Sequence, residues 1–169
     1  VELRVGRGDW TDTPSEKLSD ECIVPICGID LSKTVSKPEY LQNGPLIRIL
    51  GQEADWGRYF AAHELEMPTD APEYFVDTMA AAIELAATGG GYAVVIKRLV
   101  DMANASHPRV SIVGGAVPIP NAHYLMRPRS KRSKRPEVLL FKNWLREEFS
   151  EDAVFDALIS SPDNIPFHS

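Results

Sequence analysis

The chain has 169 residues, 44% of them hydrophobic and 25% charged, with a formal net charge of -6. That length supports one domain or two small lobes with a real core. The negative balance argues against nucleic-acid binding by the chain as a whole, and no apolar run is long enough to span a membrane.

The opening, VELRVGRGDW, has neither the apolar centre nor the cleavage site of a signal peptide. It begins on strand-like sequence without Met, which reads as a piece of a longer chain. The two cysteines, Cys22 and Cys27, are too few for a disulfide framework and fit a reducing compartment, hence the cytoplasm.

In chain order, Leu3 to Val5 reads as a buried strand entering the turn Gly6-Arg7-Gly8-Asp9. Cys22 to Cys27 is a second apolar run, and Pro25 inside it points to an edge strand or a segment crossing between lobes. Pro38 to Gln42 reads as one helical turn beginning at proline. Leu46 to Leu50 is a strand. Asp55 to Glu64 is a short helix with Trp56, Tyr59 and Phe60 at helical spacing and Asp55 as its cap. Tyr74 to Val76 is a strand.

The stretch Asp77 to Ile96 reads as helix, glycine turn, strand. Asp77 is the expected N-cap, because its carboxylate can accept a bond from a free first-turn amide. Met79, Ala82, Ile83 and Ala86 share one helical face. Gly89 suits the left-handed residue after the last turn, and Tyr92 to Ile96 has the apolar run of a strand covered on both faces. A helix N-terminus of this kind can hold an anion, though a plain packing helix explains the segment as well.

Arg98 to Ala105 reads as a helix, Val110 to Val113 as a strand, and Gly114 to Asn121 as a connection. His123 to Met126 is a strand, and Arg127 to Arg135 a basic, solvated loop. Pro136 to Phe149 is a helix with Val138, Phe141, Trp144, Leu145 and Phe149 in one apolar stripe. Val154 to Ile159 can extend it, and Ser160 to Ser169 reads as loose. Strands alternating with helices predict an α/β fold with mainly parallel pairing.

Motifs of catalysis fail on inspection. His63-Glu64-Leu65-Glu66-Met67 starts like a zinc-protease signature and lacks the second histidine. Gly89-Gly90-Gly91 lacks the Lys-Ser/Thr pair of a phosphate loop and follows a helix. Gly6-Arg7-Gly8 lacks a third glycine at dinucleotide-binding spacing, where Thr11 stands. No nucleophile elbow or carboxylate pair stands out. The residues predict no enzyme, no metal and no cofactor.

Several stretches nevertheless occur together in a telling order. VELRVGRGDW resembles the strand and turn of LysR-type transcriptional regulators. CIVPIC resembles their crossing strand, residues 77 to 96 their alanine-rich helix, glycine turn and apolar strand, and Tyr124-Leu125-Met126-Arg127-Pro128 with PEVLLFKNWLREEF their closing strand and terminal helix. Gly-Arg-Gly-Asp-Trp resembles most the glycine-cleavage and β-lactamase activators. The resemblance implies a two-lobed effector domain like a type 2 periplasmic binding protein. One lobe would take residues 1–21 and 113–149 and the other 22–112, with 150–169 as a tail. It implies that the first lobe is incomplete and that the DNA-reading helix-turn-helix lies in a missing N-terminal part. The implied ligand is a small metabolite held between the lobes. Arg7 matches a place that pairs with an effector carboxylate, and Asp77, Thr78 and Met79 match the ligand-contacting helix start. His123 or Tyr124 matches an aromatic cleft position. A homodimer or homotetramer is implied, without membrane attachment. The alternative is a stand-alone solute-binding protein of the same fold.

Overall fold

The computed structural model describes residues 1–35, 37–51, 56–127 and 135–159, the last nine as helix backbone. The chain divides into two compact units. The first takes Val1–Asp20 and Pro120–Ser169, the second Glu21–Ile119. Residues 113–119, expected in the first lobe, belong to the second.

The second unit is a six-stranded sheet with helices. Its strands are β3 (Glu21–Gly28), β4 (Leu46–Ile49), β5 (Glu73–Val76), β6 (Tyr92–Ile96), β7 (Val110–Ile112) and β8 (Val117–Ile119), in the order β5-β4-β6-β3-β7 with β8 also on β3. The helices are α1 (Ile29–Ser32), α2 (Trp56–Ala62), α3 (Met79–Ala87) and α4 (Lys97–Asn104), with a 3-10 turn over Pro38–Asn43.

Alternation along the strands sends side chains into two cores. Ile23, Cys27, Tyr92 and Val94 face Trp56, Tyr59 and Phe60. Val24, Ile26, Ala93 and Val95 face Ala82, Ile83 and Ala86. β6 is thus apolar throughout because both of its faces are covered. Burial also pushes the Cys27 thiol up to about 11, which leaves it a small core hydrophobe.

Two expectations are corrected here. Pairing is not mainly parallel: β4 runs parallel to β5 and β6, while β3 is antiparallel to β6, β7 and β8. β3 carries the chain into the unit and β8 carries it out, so the two run in opposite senses. Nor is β3 an edge strand. Pro25 is accommodated because it faces the gap between β8, paired at residues 21–23, and β7, paired at 26–28. Its carbonyl accepts the Val113 amide there at 2.9 Å, and no ladder bond needs the amide proton that proline lacks. β8 itself was hidden in what reads as a Gly/Pro connection.

The first unit is a three-stranded antiparallel sheet, order β1-β9-β2, from β1 (Leu3–Gly6), β2 (Ser15–Lys17) and β9 (Ala122–Met126). Helix α5 (Pro136–Ile159) completes it, with the Phe149 ring 5.2 Å from that of His123 on one face of the sheet. Glu16 and Leu125 share that face by register, and Arg146 of α5 reaches Glu16 at 2.8 Å.

The predicted stripe of α5 is also corrected. Leu145 is buried, Val138 and Phe149 are half-buried, and Lys142 completes that face. Phe141 and Trp144 point outward and lie against each other, ring centroids 5.4 Å apart. Leu3 and Val5 of β1, expected to be buried, are exposed. Asp55, residues 128–134 of the basic loop and the terminal residues 160–169 lie outside the described residues.

Candidate functional site

The residues singled out by the sequence form two groups, one in each unit. In the second unit they sit at the start of α3. Thr78 has extended backbone, φ -137° and ψ 152°, and its Oγ1 accepts the Ala81 amide at 3.2 Å. Thr78 is therefore the N-cap, and the assignment of that role to Asp77 is corrected. Both residue types cap well, and the backbone decides between adjacent candidates. Asp77 and Thr78 are exposed, while Met79 is half-buried against both cores. The Ala82 amide already reaches the Thr78 carbonyl at 3.1 Å. The first-turn amides of Met79 and Ala80 have no acceptor within the helix, which gives this end its partial positive charge.

The capping assignment is directly checkable. Thr78→Ala is expected to cost about 1 kcal/mol of stability and Asp77→Ala a few tenths at most. Urea midpoints of the two variants measure this, and a larger loss for Asp77→Ala would reverse the assignment.

In the first unit, Arg7 and Tyr124 are brought together. The Tyr124 hydroxyl donates to the Arg7 carbonyl at 3.3 Å. The tyrosine ring meets Trp10 edge-on, centroids 5.2 Å apart, and the Arg4 guanidinium lies 5.5 Å from the Trp10 ring centroid. Gly8 makes this corner possible. Its φ is +81°, and a Cβ there would overlap the Tyr124 ring; only glycine meets both demands at low cost. The Arg7 side chain is exposed.

His123 and Tyr124 alternate across β9, so they occupy opposite faces. The His123 ring lies on the α5 side, 5.2 Å from the Phe149 ring, with Nδ1 3.3 Å from Ser19 Oγ. The two residues cannot serve one site together. Sequence reasoning kept both because β-register within one residue was open.

Other chemistry-bearing residues are structural. His63 Nδ1 lies 2.9 Å from the Tyr59 carbonyl and its ring packs on Tyr59. Glu84 of α3 holds Arg109 through two bonds of 2.6 Å, and this pairing draws the Glu84 carboxyl below its usual range. Among the described residues, no group of three His, Cys, Asp or Glu side chains could hold a metal, and no helix is long and apolar enough to cross a membrane.

No family model matches the chain. An uncharacterised HTH-type transcriptional regulator of Sinorhizobium fredii, y4mQ, is 30% identical over 135 residues, covering 78% of this chain and 44% of that protein. The chain thus spans under half the length of this relative. Among solved structures, the effector domain of the transcriptional regulator AmpR of Pseudomonas aeruginosa is 22% identical, with TM-score 0.71 over 92% of this chain and 74% of that one. The regulatory domain of CrgA, a LysR-type transcriptional regulator from Neisseria meningitidis, is 16% identical, with TM-score 0.57 over 88% and 76%. The fold is that of the two-lobed, periplasmic-binding-protein-like effector domains of LysR-type regulators.

Proposed function

We propose that this chain is the effector-sensing part of a LysR-type transcriptional regulator, and not an enzyme. The observation that carries the reading is the match in fold, over nine-tenths of the chain, to an effector domain of a transcriptional regulator. The relative named as an HTH-type regulator supports it from the sequence side.

In this reading the chain binds a small metabolite, and each unit offers its own candidate contacts. The free amides at the start of α3 and the Thr78 hydroxyl offer hydrogen bonds to a polar group. Arg7, exposed beside Tyr124, offers a guanidinium fork suited to a carboxylate. Asp77 would disfavour a second negative charge at the helix start, so an effector with both an acidic and a donor group fits best. The aromatic contact falls to Tyr124, because His123 turns toward Ser19 and Phe149. Metabolite binding would shift the conformational equilibrium of the regulator. DNA would be read by a helix-turn-helix elsewhere in a longer parent, working in the cytoplasm as a homodimer or homotetramer. The Gly-Arg-Gly-Asp-Trp turn favours the subgroup of glycine-cleavage and β-lactamase activators.

The test is a reporter assay of the full-length parent. Arg7→Ala and Thr78→Ala are each expected to reduce effector response at least several-fold while leaving the protein folded, since both side chains are exposed. Wild-type response in both variants would remove the residue assignment. A parent reading frame without a helix-turn-helix would remove the regulator reading, and a signal peptide in its place would favour a solute-binding protein.

A further inference from the structure

The turn before β4 holds the one Asn-Gly pair of the chain, Asn43-Gly44. Asn43 is the last residue of the 3-10 turn, and its side chain is exposed, with no hydrogen-bond partner among the described residues. The other described asparagines are held or shielded. Asn104 Oδ1 accepts the Arg109 and Val110 amides, and its Nδ2 donates to the Val110 carbonyl. Asn143 Oδ1 accepts Arg146 at 2.8 Å, and Asn121 Oδ1 is buried. Each of these three precedes a residue that carries a side chain, Ala105, Trp144 and Ala122.

Gly44 supplies the second half. It lies against Tyr92, where a Cβ would overlap the ring, so the packing requires glycine. The same missing side chain leaves the Gly44 amide unshielded. At the ends of α1, α3 and α4 the cap amide returns to a helix carbonyl. The Gly44 amide makes no such bond among the described residues, and its backbone is extended, φ -111° and ψ 169°.

We propose that Asn43-Gly44 is a site of spontaneous covalent modification, deamidation with isomerisation of the main chain, and that it governs how the second unit ages. The Gly44 amide nitrogen attacks the Asn43 side-chain carbonyl carbon. The new C–N bond closes a five-membered succinimide, and the side-chain nitrogen leaves as ammonia with the Gly44 amide proton. Water then opens the ring at either carbonyl, leaving aspartate or isoaspartate at this position. Closure requires Asn43 to leave its helical ψ, and at the end of a short 3-10 turn no bond of the Gly44 amide opposes that. The isoaspartyl product lengthens the main chain by one methylene. That link lies between Leu41 and Leu46, both fully buried. It also precedes Pro45, whose carbonyl accepts the Tyr92 amide at 2.9 Å. The added atom displaces Gly44 from the Tyr92 ring or Leu41 from the core.

The test incubates the folded 169-residue chain at mildly alkaline pH. Peptide mass spectrometry locates amide-to-acid conversion, and a protein isoaspartyl methyltransferase detects isoaspartate. The peptide holding Asn43 is expected to convert and to become a methyl acceptor about ten-fold faster than peptides holding the other asparagines. Asn43→Gln, whose ring closure is disfavoured, is expected to do neither. Aged wild type should show an added, lower urea midpoint, whereas aged Asn43→Gln keeps a single one. Fresh Asn43→Asp should match fresh wild type, which assigns the loss to the lengthened main chain and not to the charge. Conversion spread evenly over the asparagines, conversion seen only in urea-unfolded protein, or an aged midpoint equal to the fresh one would each overturn the proposal. A lowered midpoint in fresh Asn43→Asp would overturn the role given to the isoaspartyl link.

Discussion

Trp56→Ala is expected to lower the unfolding free energy of the second unit by about 4–5 kcal/mol, because two costs add. Trp56 is 1% exposed and stacks on Phe60, with centroids 5.3 Å apart, while its edge meets Tyr59. Truncating a buried aromatic residue to alanine typically costs about 3–5 kcal/mol. The indole Nε1 also donates to the Ile47 carbonyl at 3.1 Å in a buried bond, so alanine leaves that bond broken. Ile47 sits in β4 between β5 and β6, where water reaches poorly. Domains of this size are typically stable by about 5–15 kcal/mol, so the variant should be partly unfolded at ordinary temperature. Trp56→Phe separates the two costs. It keeps most of the packing and removes the donor, and is expected to lose about 1–3 kcal/mol. Urea denaturation followed by far-ultraviolet circular dichroism measures both. A loss under about 1 kcal/mol for Trp56→Ala would show that α2 does not pack as the structure has it.

The same helix shows why parts of the fold are legible in the sequence. Trp56, Tyr59 and Phe60 announce a buried face by spacing alone, and all three are buried. The α3–β6 unit was equally plain: alanines for close approach, Gly89 at φ +83° for the turn, and a strand apolar throughout. What failed has specific causes. β8 was missed because Pro118 reads as a breaker. It faces outward on a strand with β3 on one side, so its missing amide costs nothing there. The stripe of α5 was drawn with Phe141 and Trp144 because aromatic residues outrank lysine on any hydrophobicity scale. The structure buries Lys142 there instead, a residue whose long aliphatic stem can lie along apolar surface. The burial of Leu3 and Val5 was expected from their composition, yet alternation cannot say whether anything covers a face. At the site, the sequence located the helix start to within one residue and misassigned its cap. The Arg7–Tyr124 corner was out of reach, since residues so far apart in the chain meet only through the β1–β9 register and the space left by Gly8.

Acidification should weaken the first unit through Glu16. This carboxylate of β2 accepts Arg146 at 2.8 and 3.0 Å and Arg127 at 2.6 and 3.0 Å. The Arg146 bonds foremost, then those of Arg127, hold its pKa at about 2 against an ordinary 4.5. A folded-state pKa below the unfolded one means that the unfolded chain takes up the proton first. The stabilisation is therefore complete above the ordinary value and disappears as pH falls toward 2. Both arginines are more than a third exposed, so solvent screening reduces the contribution to about 1–2 kcal/mol. Glu16→Gln is expected to lose about that much at neutral pH and to flatten the acid limb of the stability curve. Arg146→Lys should retain the charge and lose the two-pronged geometry, giving an intermediate loss. Urea midpoints of wild type and both variants, taken in steps from about pH 6 to about pH 2, read the effect. Parallel acid limbs for wild type and Glu16→Gln would show that other carboxylates govern acid unfolding. Because Glu16 and Arg146 join β2 to α5, this pair fixes which flank of the helix leans over β2.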